Sequence, residues 1–332
     1  MENKLKKYLP LAPVLAGYFF LFLVGENMEG KWQLIAMLAF YCAVGQAFNL
    51  FVGMTGYVDF GYVAFLGIGT YGMAIAISRW SEQELGLWLL VIGLLMAIGM
   101  ATLLSLAVGA VALRLRGAYF AIATIGVNEG FRYLIEGARL WGGSEGIIFT
   151  SQLNTAFGRD FANVLSTYWA DVALFFIASF AAFLTLFFLR SKVGYALTAV
   201  RTDEDAAKVM GINVTKFKIV AFIASASLAG MIGAVSWALK LTYVFPPDVF
   251  EISYTVEAII IVFLGGAGTL LGPIVGGLIY GLSKYYLAVI LPGFQLLIFA
   301  PIIIIIIVLF PEGTVGVLKK RVQGTVWEKI IV

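Results

Sequence analysis

Glu129 and Arg132 stand three residues apart in an otherwise apolar run, and Glu257 stands alone in another. Ionisable side chains in such runs are costly to withdraw from water, so they normally face a partner or a water-filled path. Three-residue spacing on a helix puts Glu129 and Arg132 on one face, within pairing reach. With Glu257 they form a set of acidic and basic groups that a zwitterionic solute needs. The same set would equally pin one helix to another, and the residues leave both readings open. Lys284 is a further candidate partner for Glu257.

Other chemistry is excluded by what the chain lacks. It has no histidine and a single cysteine, Cys42. That rules out a histidine-based triad, a His or multi-Cys zinc site and an intrachain disulfide. Gly67-Ile-Gly-Thr-Tyr-Gly72 fits the G-x-G-x-x-G pattern, but that pattern binds dinucleotides only between a strand and a helix of an aqueous unit. Inside an apolar run it reads instead as a surface for close helix contact. Gly268, Gly272 and Gly276 recur every four residues and are expected to line one helix face in the same way. No G-x-x-x-x-G-K-[ST] loop occurs, so the chain itself is not expected to hydrolyse ATP. No cofactor and no metal is expected.

The elements that position these residues follow from composition. Of 332 residues, 61% are hydrophobic and 12% charged, with a mean hydropathy of +0.98. Soluble domains carry about a quarter charged residues, so lipid must be the solvent for most of this chain. Apolar runs long enough to cross about 30 Å of hydrocarbon predict about ten helices, at 8–24, 32–52, 58–78, 87–113, 118–134, 169–189, 217–239, 252–264, 270–290 and 295–310. The first follows Lys4, Lys6 and Lys7 but has no small-residue cleavage site before Glu26, so it is expected to remain as a span.

Orientation follows from charge. With the N-terminus inside, the inner segments hold Lys4, Lys6, Lys7, Arg114, Arg116, Arg190, Lys192, Arg201, Lys208, Lys216, Lys218, Lys319, Lys320, Arg321 and Lys329. The outer segments hold only Lys31, Arg79, Arg139, Arg159 and Lys240 among many acids. This alternation satisfies the positive-inside rule. The expected fold is an all-α polytopic membrane protein, one transmembrane domain over 1–332 with both termini cytoplasmic.

Two connections are long. The outer one, about 135–168, opens with Trp141-Gly-Gly-Ser-Glu-Gly146. The inner one, about 190–218, carries the signals of a short helix: Thr202 as cap with Asp205 three residues on, as in a capping box. Asp203, Glu204 and Asp205 place negative charge in the first turn and Lys208 lies in the last. Gly211 suits the left-handed stop. Ala206, Ala207, Val209 and Met210 give the helix a small apolar face. So short a helix is unstable alone in water, and a docking surface is expected.

The inner segment 194–214 resembles the cytoplasmic EAA-type coupling loop of ABC-importer membrane subunits, and more narrowly that of branched-chain amino-acid permeases of the LivM type. Three further stretches resemble the same family: 114–126 with Glu129 and Arg132, Gly142-Gly-Ser-Glu-Gly-Ile147, and Leu264-Gly-Gly-Ala-Gly-Thr-Leu-Leu-Gly-Pro273. Asp205 stands where the EAA pattern has Glu, Tyr62 where many relatives have His, and Ser144-Glu145 where they carry a small polar pair. The resemblance implies a permease of a prokaryotic plasma (inner) membrane, not an enzyme, that moves branched-chain amino acids delivered by an extracytoplasmic binding protein. It implies a homologous second permease subunit and two cytoplasmic ATPase subunits, with no nucleic acid. Thr202, Asp203, Glu204, Asp205, Ala206, Ala207 and Gly211 would couple to the ATPase. Gly142, Gly143 and Gly146 would meet the binding protein, and Glu129, Arg132 and Glu257 would border the translocation path. Urea, amides or other polar amino acids are the alternative cargo, and an ion-coupled secondary transporter titrating Glu129 or Glu257 is the alternative class.

Overall fold

The structure, a computed structural model, describes residues 10–28, 30–137, 140–290, 297, 301 and 313–316. It is helical almost throughout. In chain order the helices are α1 (Leu11–Asn27), α2 (Trp32–Asn49), α3 (Val52–Thr55), α4 (Tyr62–Trp80), α5 (Trp88–Ala112) and α6 (Ala118–Gly137). They continue with α7 (Thr150–Phe157), α8 (Arg159–Val164), α9 (Ala170–Leu189), α10 (Lys192–Thr202) and α11 (Glu204–Val209). The last are α12 (Val214–Gly233), α13 (Pro246–Val249), α14 (Ser253–Gly265) and α15 (Gly272–Ile290). One antiparallel ribbon joins β1 (Ile147–Ile148) to β2 (Tyr243–Val244), with Ile147 opposite Val244.

Among the described residues six helical segments are long and apolar enough to cross a membrane: Trp32–Thr55, Tyr62–Trp80, Trp88–Ala112, Arg159–Leu189, Val214–Leu239 and Gly272–Ile290. A seventh, Leu11–Asn27, is apolar but shorter. The chain is therefore an all-helical, multi-pass membrane protein. The expected fifth and eighth runs do form helices, α6 and α14. Their charge and their length set them apart: α6 carries Glu129, Arg132 and Glu136, and α14 has 13 residues. The expected run at 295–310, but for positions 297 and 301, and the two chain ends lie outside the described residues.

The outer connection is not a loop. Residues 150–157 and 159–164 are helical, and a π-helical turn at Leu165–Trp169 runs straight into α9. Asn, Thr, Arg and Asp on these helices hide them from any hydropathy window while leaving helix formation intact. The inner connection is likewise two helices, α10 and α11, rather than one helix in a loop.

The helices cluster into two compact units. Unit 1 comprises Met1–Gly56, Ala178–Val214 and Glu257–Val332, and unit 2 comprises Tyr57–Ile177 and Thr215–Val256. In unit 2 the G-x-G-x-x-G run is a packing surface. A Cβ on Gly69 would collide with the backbone of Gly230, and one on Gly72 would fall 2.7 Å from Ala97 Cα. From the other side, a Cβ on Gly233 would collide with Leu66 O. Helices α4, α5 and α12 thus touch backbone to backbone, the arrangement that small residues permit in lipid.

Unit 1 is held differently. The face of α2 that carries Cys42, Gln46 and Asn49 meets the turn between α14 and α15. Gln46 Nε2 donates to Leu270 O at 2.6 Å and Asn49 Nδ2 donates to Thr269 O at 3.0 Å. Asn49 Oδ1 accepts from Gly268 N at 2.8 Å, and Cys42 Sγ reaches Ile274 O at 3.5 Å. Thr185 of α9 donates to Gln46 Oε1. Gly268 lies in this turn at φ +80° rather than on a helix, so only Gly272 and Gly276 of the four-residue series share α15. A Cβ on Gly276 would collide with Ile261 O, so its absence lets α14 close onto α15.

Because the Gly69 contact is backbone on backbone, Gly69→Leu should abolish recovery of a monodisperse detergent-solubilised protein. Overpacking of this kind costs roughly 1–3 kcal/mol or more. Gly99→Leu, at a helical glycine with nothing within 4 Å, should behave as the parent does in size-exclusion chromatography. Equal yields for the two variants would remove the close-packing account.

Candidate functional site

The segment 191–214 of unit 1 is a packed elbow. Ser191 caps α10, accepting from Gly194 N at 3.3 Å. The chain then turns at Asp203, whose extended backbone (φ −157°, ψ 111°) separates α10 from α11. Asp203, not Thr202, caps α11: its Oδ1 accepts from Asp205 N at 2.9 Å and from Ala206 N at 3.0 Å. Thr202 is still the last residue of α10, and its hydroxyl donates back to Thr198 O. The expected cap therefore shifts by one residue and the expected capping box does not form, since Ala206 now stands three residues on and has no acceptor. Glu204 and Lys208 pair at 3.0 Å along α11.

The elbow has its own small core. Val200, Ala207 and Val214 are buried together, with Ala199 and Ile212 packed against them. Ala207 therefore faces inward. Val209 and Met210, at 87% and 81% exposure, face outward, and Ala206 and Asp205 are exposed too. Gly211 has φ +83°, the left-handed stop expected of it, and a Cβ there would meet nothing within 4 Å. Any substitution at 211 thus acts through the backbone alone.

Arg201 plays a part that no sequence signal announces. Its Nη1 donates to Gly53 O at 2.5 Å and to Ala267 O at 3.2 Å. Gly53 lies on α3, which ends at Gly56 in the left-handed conformation, and Ala267 lies in the glycine turn. Arg201 is exposed as a residue, but partial burial draws its guanidinium out of water and lowers its pKa from the ordinary value. It remains cationic at any physiological pH.

Glu257 of unit 1 has the partner suggested for it. Lys284 Nζ of α15 donates to Glu257 Oε1 at 2.5 Å, with the Glu257 side chain 8% exposed and that of Lys284 27%. The ammonium also sits 5.4 Å from the Tyr41 ring. In unit 2, Glu129 and Arg132 pair at 3.4 Å, but not as an isolated couple. Helix α6 runs on to Gly137, so Glu136, expected in the outer loop, falls one turn beyond Arg132 and binds its Nε at 3.2 Å. The result is two carboxylates on one guanidinium, all three partly exposed. Glu129 and Arg132 belong to one unit and Glu257 to the other.

Gly142, Gly143 and Gly146 all have positive φ, at 90°, 60° and 70°. The turn they make lays Trp141 near Tyr71 (ring centroids 5.7 Å), and Tyr71 stacks on Phe250. It then delivers the chain into β1, where a Cβ on Gly146 would collide with Val244 O. Asn128, fully buried, donates to Phe250 O at 2.9 Å and ties α6 to the same cluster. Lys218, expected in an inner loop, is instead buried in α12 with its ammonium 3.8 Å from the Tyr57 ring. Asp171 and Lys240 pair at 2.6 Å between α9 and the end of the α12 segment. A crevice of about 480 Å³ in unit 2, lined by Leu87, Leu94, Phe161, Trp169 and Val235 among others, is apolar in its lining and suits hydrocarbon rather than a zwitterion. Among the described residues no cluster of His, Cys, Asp and Glu could hold a metal ion.

Comparison with known proteins gives this arrangement a family. A family model described as branched-chain amino acid transport system / permease component matches residues 32–307. The chain is 27% identical over 322 residues to the high-affinity branched-chain amino acid transport system permease protein LivM of Salmonella typhimurium, covering 89% of this chain and 72% of that protein. LivM of Escherichia coli K12 is 27% identical over 319 residues, with the same coverage. LivH of Escherichia coli K12 is 24% identical over 310 residues, covering 90% of this chain and 96% of that one. No solved structure matches. The family match takes in the polar face of α2, the α10–α11 elbow and the glycine turn alike, and the chain belongs to the permease components of branched-chain amino acid transport systems.

Proposed function

We propose that this permease is one of the membrane subunits of an ATP-driven ABC importer. Its cargo is branched-chain amino acids, the substrate named for LivM and LivH. The observation that carries the ATP-driven reading is the elbow: a capped, internally packed helix pair presenting Val209 and Met210 to solvent, in a chain with no phosphate-binding loop. The ATPase is a separate polypeptide. Two cytoplasmic ATPase subunits, a second homologous permease chain and an extracytoplasmic binding protein complete the importer, in the inner membrane of a prokaryote.

In this reading the whole chain acts as one permease domain, with about ten spans and both ends cytoplasmic. The run at 202–211 couples to the ATPase: Asp203 caps α11, Glu204 and Asp205 favour its first turn, Ala207 anchors it and Gly211 ends it. Ala206, Val209 and Met210 fill a groove on the ATPase. Gly142, Gly143 and Gly146 shape the surface that receives the binding protein. Glu129 and Arg132, with Glu136, and separately Glu257, with Lys284, supply charge along the path of a zwitterionic solute. A branched-chain amino acid carries one ammonium and one carboxylate, and each of these sites holds both signs of charge.

Reconstituted alone in liposomes, the chain should move no leucine with or without a proton gradient, and uptake should appear only with ATP and the other importer subunits. Gradient-driven uptake by the lone chain would favour an ion-coupled transporter instead. Gly211→Val should uncouple ATP hydrolysis from uptake in the assembled complex, because a β-branched residue resists φ +83°. Gly211→Asn, which tolerates that region, should lose much less, and equal effects would show the stop conformation to be irrelevant. Finally, Glu257→Gln and Lys284→Met should each destabilise the protein by roughly 3–5 kcal/mol, with the double variant much closer to the parent. If the double variant folds and transports normally, the pair is a packing device and not part of the path.

A further inference from the structure

The elbow packs on the membrane part of unit 1 where α10 lies along α3, and one side chain reaches from it to the glycine turn. Arg201 is adjacent to Val200, a member of the elbow's core, and stands two residues before the cap of α11. Its guanidinium reaches two backbone carbonyls from segments far apart in sequence, Gly53 O on α3 and Ala267 O in the glycine turn. The fit leaves no slack. A Cβ on Gly268 would collide with Arg201 Nη1, and one on Gly56 would fall 3.4 Å from Arg201 Cγ. Both glycines have positive φ, at 80° and 76°. The receiving structure is stiff as well. Gly268 N and Thr269 O are held by Asn49 and Leu270 O by Gln46, so α2 and the turn move as one body.

We propose that Arg201 is the positioning residue that carries movement of the α10–α11 elbow into the membrane helices of its own unit. The elbow is joined to α9 and α12 by the chain and packs on α3, and its hydrogen-bonded grip on the glycine turn is Nη1 of this guanidinium. Both bonds leave from the one nitrogen, Nη1, and a guanidinium is always charged and holds its N–H directions in a rigid plane, whereas an ammonium rotates freely on a flexible stem. Both carbonyls sit where the regular ladder is interrupted, one on a four-residue helix and one in a turn. They are therefore open to an outside donor. When α11 is pushed or pulled, α3 and the glycine turn follow it, and with them α2 and α15. This role rests on α11 being the ATPase-docking helix and adds the route by which docking reaches the spans.

The test uses the assembled importer in nanodiscs or proteoliposomes, with L-leucine as the transported probe. Three quantities are measured together: co-purification of the ATPase subunits, ATP hydrolysis and leucine uptake. Arg201→Met, which keeps the stem and removes the fork, should co-purify normally while uptake per ATP hydrolysed falls about tenfold, the effect of losing a charge-assisted hydrogen bond. Arg201→Lys should lie between Arg201→Met and the parent, since it restores the charge but neither the reach of Nη1 nor its fixed N–H directions. An assembled Arg201→Met complex with unchanged uptake per ATP overturns the proposal. So does loss of co-purification in both variants, which would make Arg201 part of the docking surface. The docking reading is checked separately by Val209→Asp with Met210→Asp. Retained co-purification in that variant sinks the docking reading alone, whatever ratio the Arg201 variants give.

Discussion

Everything in unit 1 depends on how a turn made of glycines, between two helices of a membrane protein, is kept from fraying. A helix can satisfy its own backbone groups in lipid, but a turn cannot, and each unpaired group costs several kcal/mol there. The turn between α14 and α15 is satisfied by side chains from α2. Cys42, Gln46 and Asn49 fall at helical spacing on one face and meet Ile274, Leu270, Thr269 and Gly268. Gln46 is in turn oriented by Thr185. With the turn fixed, α14 and α15 close on each other, Glu257 meets Lys284, and two carbonyls are left facing Arg201.

Unit 2 solves its packing without such a network. Its centre is glycine against backbone, with Gly69, Gly72, Gly230 and Gly233 setting the separation of α4, α5 and α12. Polar groups add to this: the carboxylates around Arg132, the Asp171–Lys240 pair, the buried Asn128 on Phe250 O, and Thr102 against Ser227 between α5 and α12. One half of the chain is thus built on hydrogen bonds from a polar helix face and the other on the absence of side chains. Both devices replace the hydrophobic effect, which gives little drive to associate helices already in lipid.

Much of the helical layout is legible from the residues alone because long apolar runs leave few alternatives in a bilayer. The G-x-G-x-x-G run is recognisable as a packing surface for the same reason. Gly211 is legible as a stop because a residue at φ +83° has few occupants. The polar face of α2 is not legible, since the carbonyl that justifies Asn49 lies 220 residues away in the chain. Helices α7 and α8 are hidden by their mixed composition, and the same masking puts Glu136 in an apparent loop instead of on Arg132. Thr and Asp are both good caps, and the spacing from Thr202 to Asp205 is what points to Thr202 in the residues alone. Only the preceding helix α10 decides that the Thr202 hydroxyl turns back on Thr198 and that Asp203 takes the cap.

The Glu257–Lys284 pair also bears on how the chain is made. Synthesis runs from the N-terminus at roughly 5–20 residues per second, and the two residues are 27 apart. For some seconds the ribosome has therefore delivered a 13-residue helix bearing a carboxylate whose cation does not yet exist. At 13 residues this helix is shorter than the roughly 20 that cross a bilayer alone. Only once α15 has been made can the carboxylate of α14 meet a cation of the same hairpin. The glycines of and around the turn let the two helices come close enough for that pair to form.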